Sequence, residues 1–402
     1  MSSLEDILGI SFAKGTQILH ATNSSEKVSN GSIFFGLPGV TNHGSKYSKD
    51  ALDHGASIVV HNDLNGETNN NNIFYINDLE KRIFNFLSSL YEINITDNNF
   101  FAFTGTNGKS SASYFCHQLL SNLGYESLYI GTLGIQFNQE KFDKTFSSKT
   151  TPDIFELFDI LRHTKFEDAG NICIEISSHA LDQKRLNQIG WLNSTSILNI
   201  TSDHLDYHKN ISAYRDAKFE IFKMRSSIKL IDEDSSKFQD NYDFVQNDEY
   251  KLTTISDRNN FSDIFFEIME ISLNKTIFNI YINEPPHGYH NVTKKKYKCL
   301  LLNRRLHIHR KVLLSLIAQY DLFDGNMISF DLDYHNNNFG DNFEHDIKSD
   351  AYIASQDGKL LNKHEITNEL LEKSVKYSIL NGYKKLKKLN KLSLDVFDLN
   401  SI

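Results

Sequence analysis

The stretch Phe100-Phe-Ala-Phe-Thr-Gly-Thr-Asn-Gly-Lys-Ser-Ser, ending at Ser111, decides the fold. Four apolar residues, Phe100 to Phe103, predict a buried strand. Gly105-Thr106-Asn107-Gly108 makes a turn, and Lys109 to Leu123 predicts a helix with an apolar stripe that includes Tyr114, Leu119 and Leu120. A strand, a Gly-rich turn and a helix in that order suit a phosphate. The N–H groups at the helix N-terminus reach an anion only where no side chain intervenes. Lys109 would oppose the phosphate charge, and Ser110 would offer its hydroxyl to Mg2+. The general pattern of Gly, four residues and Gly-Lys-Ser/Thr lacks its first glycine, because Phe103 stands there. A Gly-containing turn beside a helix cap is the competing reading of these residues alone.

Outward from this stretch, strands are predicted at Ser127-Leu-Tyr-Ile, Asn171-Ile-Cys-Ile-Glu-Ile and Ser196-Ile-Leu-Asn-Ile, with a helix over 153–162. Strands alternating with helices imply a doubly wound parallel sheet of the phosphate-loop type. Upstream, Ser32-Ile-Phe-Phe-Gly and Ala56-Ser-Ile-Val-Val read as strands, 47–54 and 79–91 as helices, and 66–72 as a polar loop. That is a small α/β unit ending near 95–99. The stretch 227–281 gives one strand signal, near Ile277–Tyr281. After Lys294 come a strand candidate at Lys298-Cys-Leu-Leu-Leu, a helix over 310–320, a polar loop over 336–346 and a lysine-rich helix over 370–389. The expected division is 1–97, 98–295 and 296–402, the third part an α/β region unrelated to the first two.

The chain has 402 residues, 40% hydrophobic and 23% charged, which supports packed cores. Its net charge of −9 argues against a general nucleic-acid binder. No run approaches the roughly 20 apolar residues of a membrane span. The N-terminus lacks a signal-peptide pattern. The three cysteines, Cys116, Cys173 and Cys299, fit neither a disulfide framework nor a zinc set. A cytoplasmic setting is expected.

Three further clusters stand out, two of them beyond predicted strand ends, where open α/β sheets bind ligands, and one that puts two hydroxyls just before the helix predicted over 153–162. They are Lys149-Thr150-Thr151-Pro152-Asp153, Glu175-Ile176-Ser177-Ser178-His179, and Asp203-His204-Leu205-Asp206-Tyr207-His208 with Ala217-Lys218 ten residues on. Carboxylates and imidazoles so placed can hold a hard cation and a polyphosphate, although an Asp-His-x-Asp run is more often a capped, solvated loop.

Taken together, TGTNGKS, TTPD, EISSHALDQKRL, LNITSDHLDYH and YRDAKFEIF resemble the Mur ligase family in order and spacing. Within it the chain is most similar to the ligases that add the third amino acid to the UDP-N-acetylmuramoyl dipeptide of peptidoglycan. NGSIFFGLPG, HGSKY and ALDHGASIVV resemble the family's UDP-sugar-binding domain, so the likeness covers roughly 15–292. The resemblance implies ATP-dependent amide formation: the substrate carboxylate takes the γ-phosphoryl group, and an amino acid displaces phosphate from the acyl phosphate. It implies that Gly105, Thr106, Asn107, Gly108, Lys109, Ser110 and Asn291 bind ATP. It implies that Ser110, Glu175, His204 and Lys218 hold Mg2+, Lys218 as the lysine that the family carbamylates. It also implies that Ser24, Thr150, Thr151, Ser177, Gln183 and Arg185 contact the UDP-muramoyl peptide. Lys109, Glu175, His204 and Lys218 are the expected catalytic set. Read without the family, Lys218 is equally an ordinary helix-surface lysine and Arg185 a solvated charge.

The pattern also departs from the family. Asn23-Ser24-Ser25 stands where Asp-Ser-Arg is usual, His43-Gly44 where Asp-Gly is usual, and Lys149 where Asn is common. Gly288-Tyr289-His290-Asn291-Val292 resembles the last family element. Beyond it, neither the DYAH-like nor the DNPR-like segment of the family's third domain is found. Arg304, Arg305, His307, His309 and Arg310 make a basic cluster that could bind a phosphate or sugar nucleotide, although a surface loop entering a helix is the preferred reading. Two functions are therefore carried: a complete ligase, and a truncated or fused relative that binds ATP or UDP-sugar without completing the amide. The second admits a carbohydrate-related C-terminal part. In either case another chain could supply the missing domain.

Overall fold

The computed structural model describes residues 3–39, 41–68, 71–95, 98–122, 124–138, 140–142, 149–164, 166, 170–190, 192–242, 252–271, 275–283, 295–302, 315, 327–331 and 349–355. The first unit contains α1 (Leu4–Leu8), β1 (His20–Thr22), β2 (Ser32–Gly36), α2 (Ser48–Asp53), β3 (Ala56–His61), β4 (Ile73–Tyr75) and α3 (Leu79–Tyr91). Its four strands pair in chain order, all parallel. β2 and β3 are apolar without alternation because both faces are covered: Ile33, Phe34, Phe35, Ile58, Val59 and Val60 are all buried.

The second unit contains β5 (Asn99–Thr104), α4 (Lys109–Asn122), β6 (Ser127–Gly131), β7 (Gly134–Phe137), β8 (Glu140–Phe142), α5 (Ile154–Thr164), β9 (Asn171–Glu175), α6 (Ser178–Asp182), β10 (Leu192–Ile197), α7 (Leu205–His208), α8 (Ile211–Phe219), β11 (Ser226–Asp232), α9 (Glu233–Ser236), β12 (Thr253–Ser256), β13 (Ile264–Ile271) and β14 (Lys275–Ile282). The sheet order is β16-β17-β15-β14-β13-β12-β11-β10-β5-β9-β6-β7-β8, where β15 is Lys295–Leu302, β16 Met327–Asp331 and β17 Ser349–Ser355. From β6 to β13 neighbouring strands run parallel; both flanks are antiparallel. The mixed α/β class with a parallel nucleotide-loop sheet agrees with the sequence. The described strands of the third region do not build a sheet of their own. β15 pairs with β14 over Lys275–Ile282, and β17 pairs with β15. The helices expected over 310–320 and 370–389 and the loop over 336–346 lie outside the described residues, apart from Ser315.

β10 begins four residues before the predicted strand. Its polar start, Leu192-Asn-Ser-Thr, reads as a loop, yet Ser194, Thr195 and Ser196 are buried, and Thr195 Oγ1 lies 2.9 Å from Ser226 Oγ. Ile200, predicted as strand, belongs to the segment beyond β10 that turns toward the phosphate loop. The two units share apolar surface. Phe35 packs on Phe155 at 5.0 Å between centroids, and Phe84 and Tyr91 on Phe158 at 5.9 and 6.2 Å. Burying one such side chain stabilises by roughly 1.5–3 kcal/mol. Polar contacts frame this seam: Asn23 Nδ2 donates to Asp153 Oδ2 at 3.2 Å, Lys27 Nζ pairs with Glu156 at 3.1 Å, and Lys149 lies 3.6 Å from both Asp153 and Glu156.

Candidate active site

β5 lies between β9 and β10, so the chain leaves it toward one side and later returns to the other. The crevice beyond the C-terminal ends of these three strands is where such sheets hold ligands. The loop after β5 is pinned from β10. Thr106 N donates to Asn199 O and Asn107 N to Asn199 Oδ1, both at 2.9 Å, while Asn199 Nδ2 donates to Asn107 O. Thr106 Oγ1 accepts from Thr201 N at 2.9 Å and lies 3.2 Å from Tyr214 Oη. Gly108 has φ +85°, a conformation that side chains disfavour, and α4 starts directly after it. Lys109 Nζ donates to Gly105 O at 2.9 Å and Thr106 O at 3.1 Å. Burial pushes its pKa down, against the pull of Glu175 and Asp203. Beneath the loop, the buried Thr104 Oγ1 finds no hydrogen-bond partner among the described residues.

Glu175 ends β9 fully buried and is held by four donors. Ser110 Oγ reaches Oε2 at 3.0 Å, Thr132 Oγ1 reaches Oε2 at 3.1 Å, Thr132 N reaches Oε1 at 2.8 Å, and Tyr129 Oη donates to Oε1. So many hydrogen bonds make up for the lost water around a buried carboxylate. Gly131 makes room for it, since a Cβ there would stand 2.2 Å from Oε1. Nothing in the sequence marks Tyr129 and Thr132, which lie within and just beyond the strand predicted over 127–130.

Thr151 Oγ1 donates to Glu175 O and accepts from Ser177 N, both at 2.9 Å, and Ser177 Oγ caps α6 through Ala180 N. Thr150 Oγ1 lies 3.5 Å from Thr132 Oγ1. Arg185 is not merely solvated: Nη1 donates to Thr151 O and Nε to Gln183 Oε1, each at 2.9 Å. Ser24 stands in the first unit beside Asn23, whose amide reaches Asp153. Asn291 lies outside the described residues.

On the other side of the loop, His204 has φ +50° and lies 3.6 Å from Asp203 through its ring. Asn210 caps α8 by accepting from Ala213 N. α8 carries Tyr214 and Lys218 one turn apart, hence on one face. Lys218 is not a surface residue: it is 1% exposed, with Nζ 4.5 Å from the Tyr214 ring centroid, and no hydrogen bond or ion pair to Nζ occurs among the described residues. Burial, then the Lys109 charge, push its pKa well below the ordinary lysine value, with Asp203 opposing. The Tyr214 ring also lies 6.2 Å from that of His204. Among the described residues, no group of three or more His, Cys, Asp or Glu is placed to hold a metal ion. Ser110 and Glu175 are adjacent, but a further oxygen donor would have to come from another kind of group. No described helix is long and apolar enough to cross a membrane.

Residues 103–294 match the family described as Mur ligase middle domain. The chain is 29% identical over 243 residues to the UDP-N-acetylmuramoyl-L-alanyl-D-glutamate–2,6-diaminopimelate ligase of Caulobacter vibrioides, covering 59% of this chain and 49% of that protein. It is 31% identical over 231 residues to the corresponding L-lysine ligase of Staphylococcus haemolyticus, covering 57% and 44%. The chain thus spans about half the length of the curated relatives it matches. In fold it is similar to a solved UDP-N-acetylmuramoyl-L-alanyl-D-glutamate–2,6-diaminopimelate ligase structure, with a TM-score of 0.60 at 23% identity, over 83% of this chain and 65% of that one. Over residues 103–294, this chain is therefore similar to the middle domain of Mur ligases.

Proposed function

We propose that this chain is an ATP-dependent acid–amino-acid ligase that acts on a UDP-muramoyl peptide. The observation that carries the reading is one crevice that brings together a glycine loop with Lys109, a four-fold hydrogen-bonded Glu175 and a buried Lys218 with no hydrogen bond or ion pair to Nζ among the described residues. In this reading Gly105 to Ser110 cradle the ATP phosphates, and Lys109 turns from the loop carbonyls to the β/γ-phosphates. Ser110, Glu175 and His204 would hold Mg2+, with Lys218 as a carbamate providing the missing oxygen ligand; the cation would offset phosphate charge. A low-pKa lysine out of water is suited to that modification, because its uncharged amine is the form that adds CO2. Gln183, Arg185, Thr151 and Ser177 hold the acceptor so that its carboxylate faces the γ-phosphate. Positioning and electrostatics then carry the transfer and the subsequent attack by the amino acid.

The test is release of ADP and phosphate with UDP-muramoyl dipeptide, with and without candidate amino acids. Amino-acid-dependent amide product is expected. Lys218→Ala should reduce turnover by at least about 100-fold, as loss of a metal-binding charge at a phosphoryl site does, with partial recovery on adding short carboxylates. ATP turnover without amide would assign the chain to the truncated, binding-type alternative. Full activity of Lys218→Ala would remove the metal role of that residue.

A further inference from the structure

α7, between the metal-side loop and α8, reaches across to the acceptor side through a tyrosine not assigned above. Tyr207 Oη donates to Asp182 Oδ2 at 2.8 Å and accepts from Gln183 Nε2 at 3.2 Å. Its ring lies on His179 at 4.0 Å between centroids. The adjacent His208 is buried, with Nε2 3.0 Å from Ser178 Oγ, and this anchors α7 against the start of α6. The hydroxyl has one proton, and the Asp182 carboxylate takes it. What faces Gln183 is therefore a lone pair, which accepts an N–H and not a carbonyl. The amide is fixed with nitrogen toward Tyr207 and oxygen toward Arg185 Nε. With the amide reversed, its NH2 would face the guanidinium, donor against donor. Burial and the Asp182 charge raise the phenol pKa, so the proton stays on the ring at neutral pH.

The consequence falls on Arg185. Nε is engaged by Gln183 and Nη1 by Thr151 O, which leaves Nη2 without a hydrogen-bond partner among the described residues. A guanidinium held at two points and open at a third is preorganised for a carboxylate, and little rotamer entropy is left to lose on binding. We propose that Tyr207 is a positioning residue which orients Gln183 and, through it, sets the open edge of Arg185 toward a carboxylate of the acceptor. This rests on the reading of Gln183 and Arg185 as acceptor-binding.

The experiment is titration calorimetry of the full chain with UDP-muramoyl dipeptide and, separately, with MgATP, for Tyr207→Phe, Arg185→Ala and the double variant. Tyr207→Phe keeps the ring on His179 and removes only the hydroxyl. It should weaken dipeptide binding about five- to tenfold, the effect of one lost polar contact, and leave ATP affinity unchanged. Arg185→Ala should weaken dipeptide binding more. In its background Tyr207→Phe should cost clearly less than in the parent, no more than the share Gln183 itself contributes, because the tyrosine acts mainly through the arginine; a merely structural role would weaken binding equally in both backgrounds. Unchanged dipeptide affinity in Arg185→Ala would overturn the acceptor-site reading itself. A loss in Arg185→Ala with none in Tyr207→Phe, or losses that add in the double variant, would overturn the role of Tyr207 alone.

Discussion

At the N-terminal ends of β10, β5 and β9, Asn193 Nδ2 donates to Asn99 Oδ1, Asn99 Nδ2 to Asn171 Oδ1, and Asn171 Nδ2 to Glu126 O, at 2.8, 3.1 and 2.9 Å. At the C-terminal ends of the same strands, Thr104 Oγ1 has no partner among the described residues, His204 adopts a left-handed conformation, and Lys109 and Lys218 are both depressed in pKa by burial. One edge satisfies its amides side by side across three strands. The other keeps cationic groups out of water with too few counter-charges. Strained or unsatisfied groups persist where the surroundings hold them, and they mark the edge that meets ligand. The difference teaches that stability and chemistry are divided between the two ends of the same strands.

The largest expected effect tests the ligand edge. Lys109→Ala removes the cation aimed at the phosphates, and ATP affinity should fall roughly 100-fold, on the order of 3 kcal/mol. Thermal stability should hold or rise, because a lysine whose pKa is lowered by burial costs the fold something to keep charged. Calorimetry paired with a melting curve reads both. Unchanged ATP affinity, or a large drop in melting temperature, would put Lys109 among the structural groups and erase the contrast.

The sequence showed the ligand edge better than the resting edge. Gly108-Lys109-Ser110 and Glu175 are legible because phosphate chemistry restricts residue type at fixed spacing, and the helix over 79–91 because its apolar period is strong. The asparagine ladder was not legible. Asn99, Asn171 and Asn193 are distant in sequence, and each alone resembles a loop residue; only the register of β5 with β9 and β10 brings them together. The same cause hides β10's start, since Asn193-Ser-Thr195 reads as polar turn until Ser226 of β11 is its neighbour. β11 and β12 carry mostly buried positions with little alternation to read, and β13, Ile264–Ile271, is apolar on both sides in sequence, so the alternation of its burial shows only in the fold. Lys218 is marked only by the family resemblance; without it a surface lysine is an equal reading, because burial of a charge is a tertiary fact.

The next effect in size sharpens the comparison from the body of the domain. His117 on α4 is buried between the edges, with Nδ1 2.9 Å from Ser127 Oγ, Nε2 3.1 Å from Asn138 O, and the Tyr114 and Tyr129 rings beside it. Burial lowers its pKa to about 4, with the Asn138 carbonyl opposing. The unfolded chain therefore takes up a proton on this ring between pH of about 6.5 and 4, while the folded chain does not. Stability is fully present above that window and is lost as pH falls through it, by on the order of 3 kcal/mol. His179 and His208 are lowered too and contribute with the same sign. Melting temperature against pH should fall across this window, and less steeply in His117→Gln. An unchanged slope would mean that the imidazole is hydrated rather than enclosed.

The smallest expected effect addresses the resting edge directly. Asn99→Ala deletes the middle rung, which leaves Asn193 Nδ2 and Asn171 Oδ1 without their mutual partner. A buried unsatisfied group costs about 1–3 kcal/mol, but Asn99 and Asn193 are only half-buried, so water replaces part of the loss and about 1 kcal/mol is expected. For a cooperative unit of about 400 residues that lowers the melting temperature by roughly 1 °C. Asn99 and Thr104 stand at opposite ends of β5, about 16 Å apart at the strand's rise per residue. Changes so far apart with no shared partner act independently. ATP affinity in Asn99→Ala should therefore match the parent chain, while Lys109→Ala shows the reverse pattern. A nucleotide affinity that moved with the ladder would mean that β5 transmits strain along its length, and that the two edges are one device.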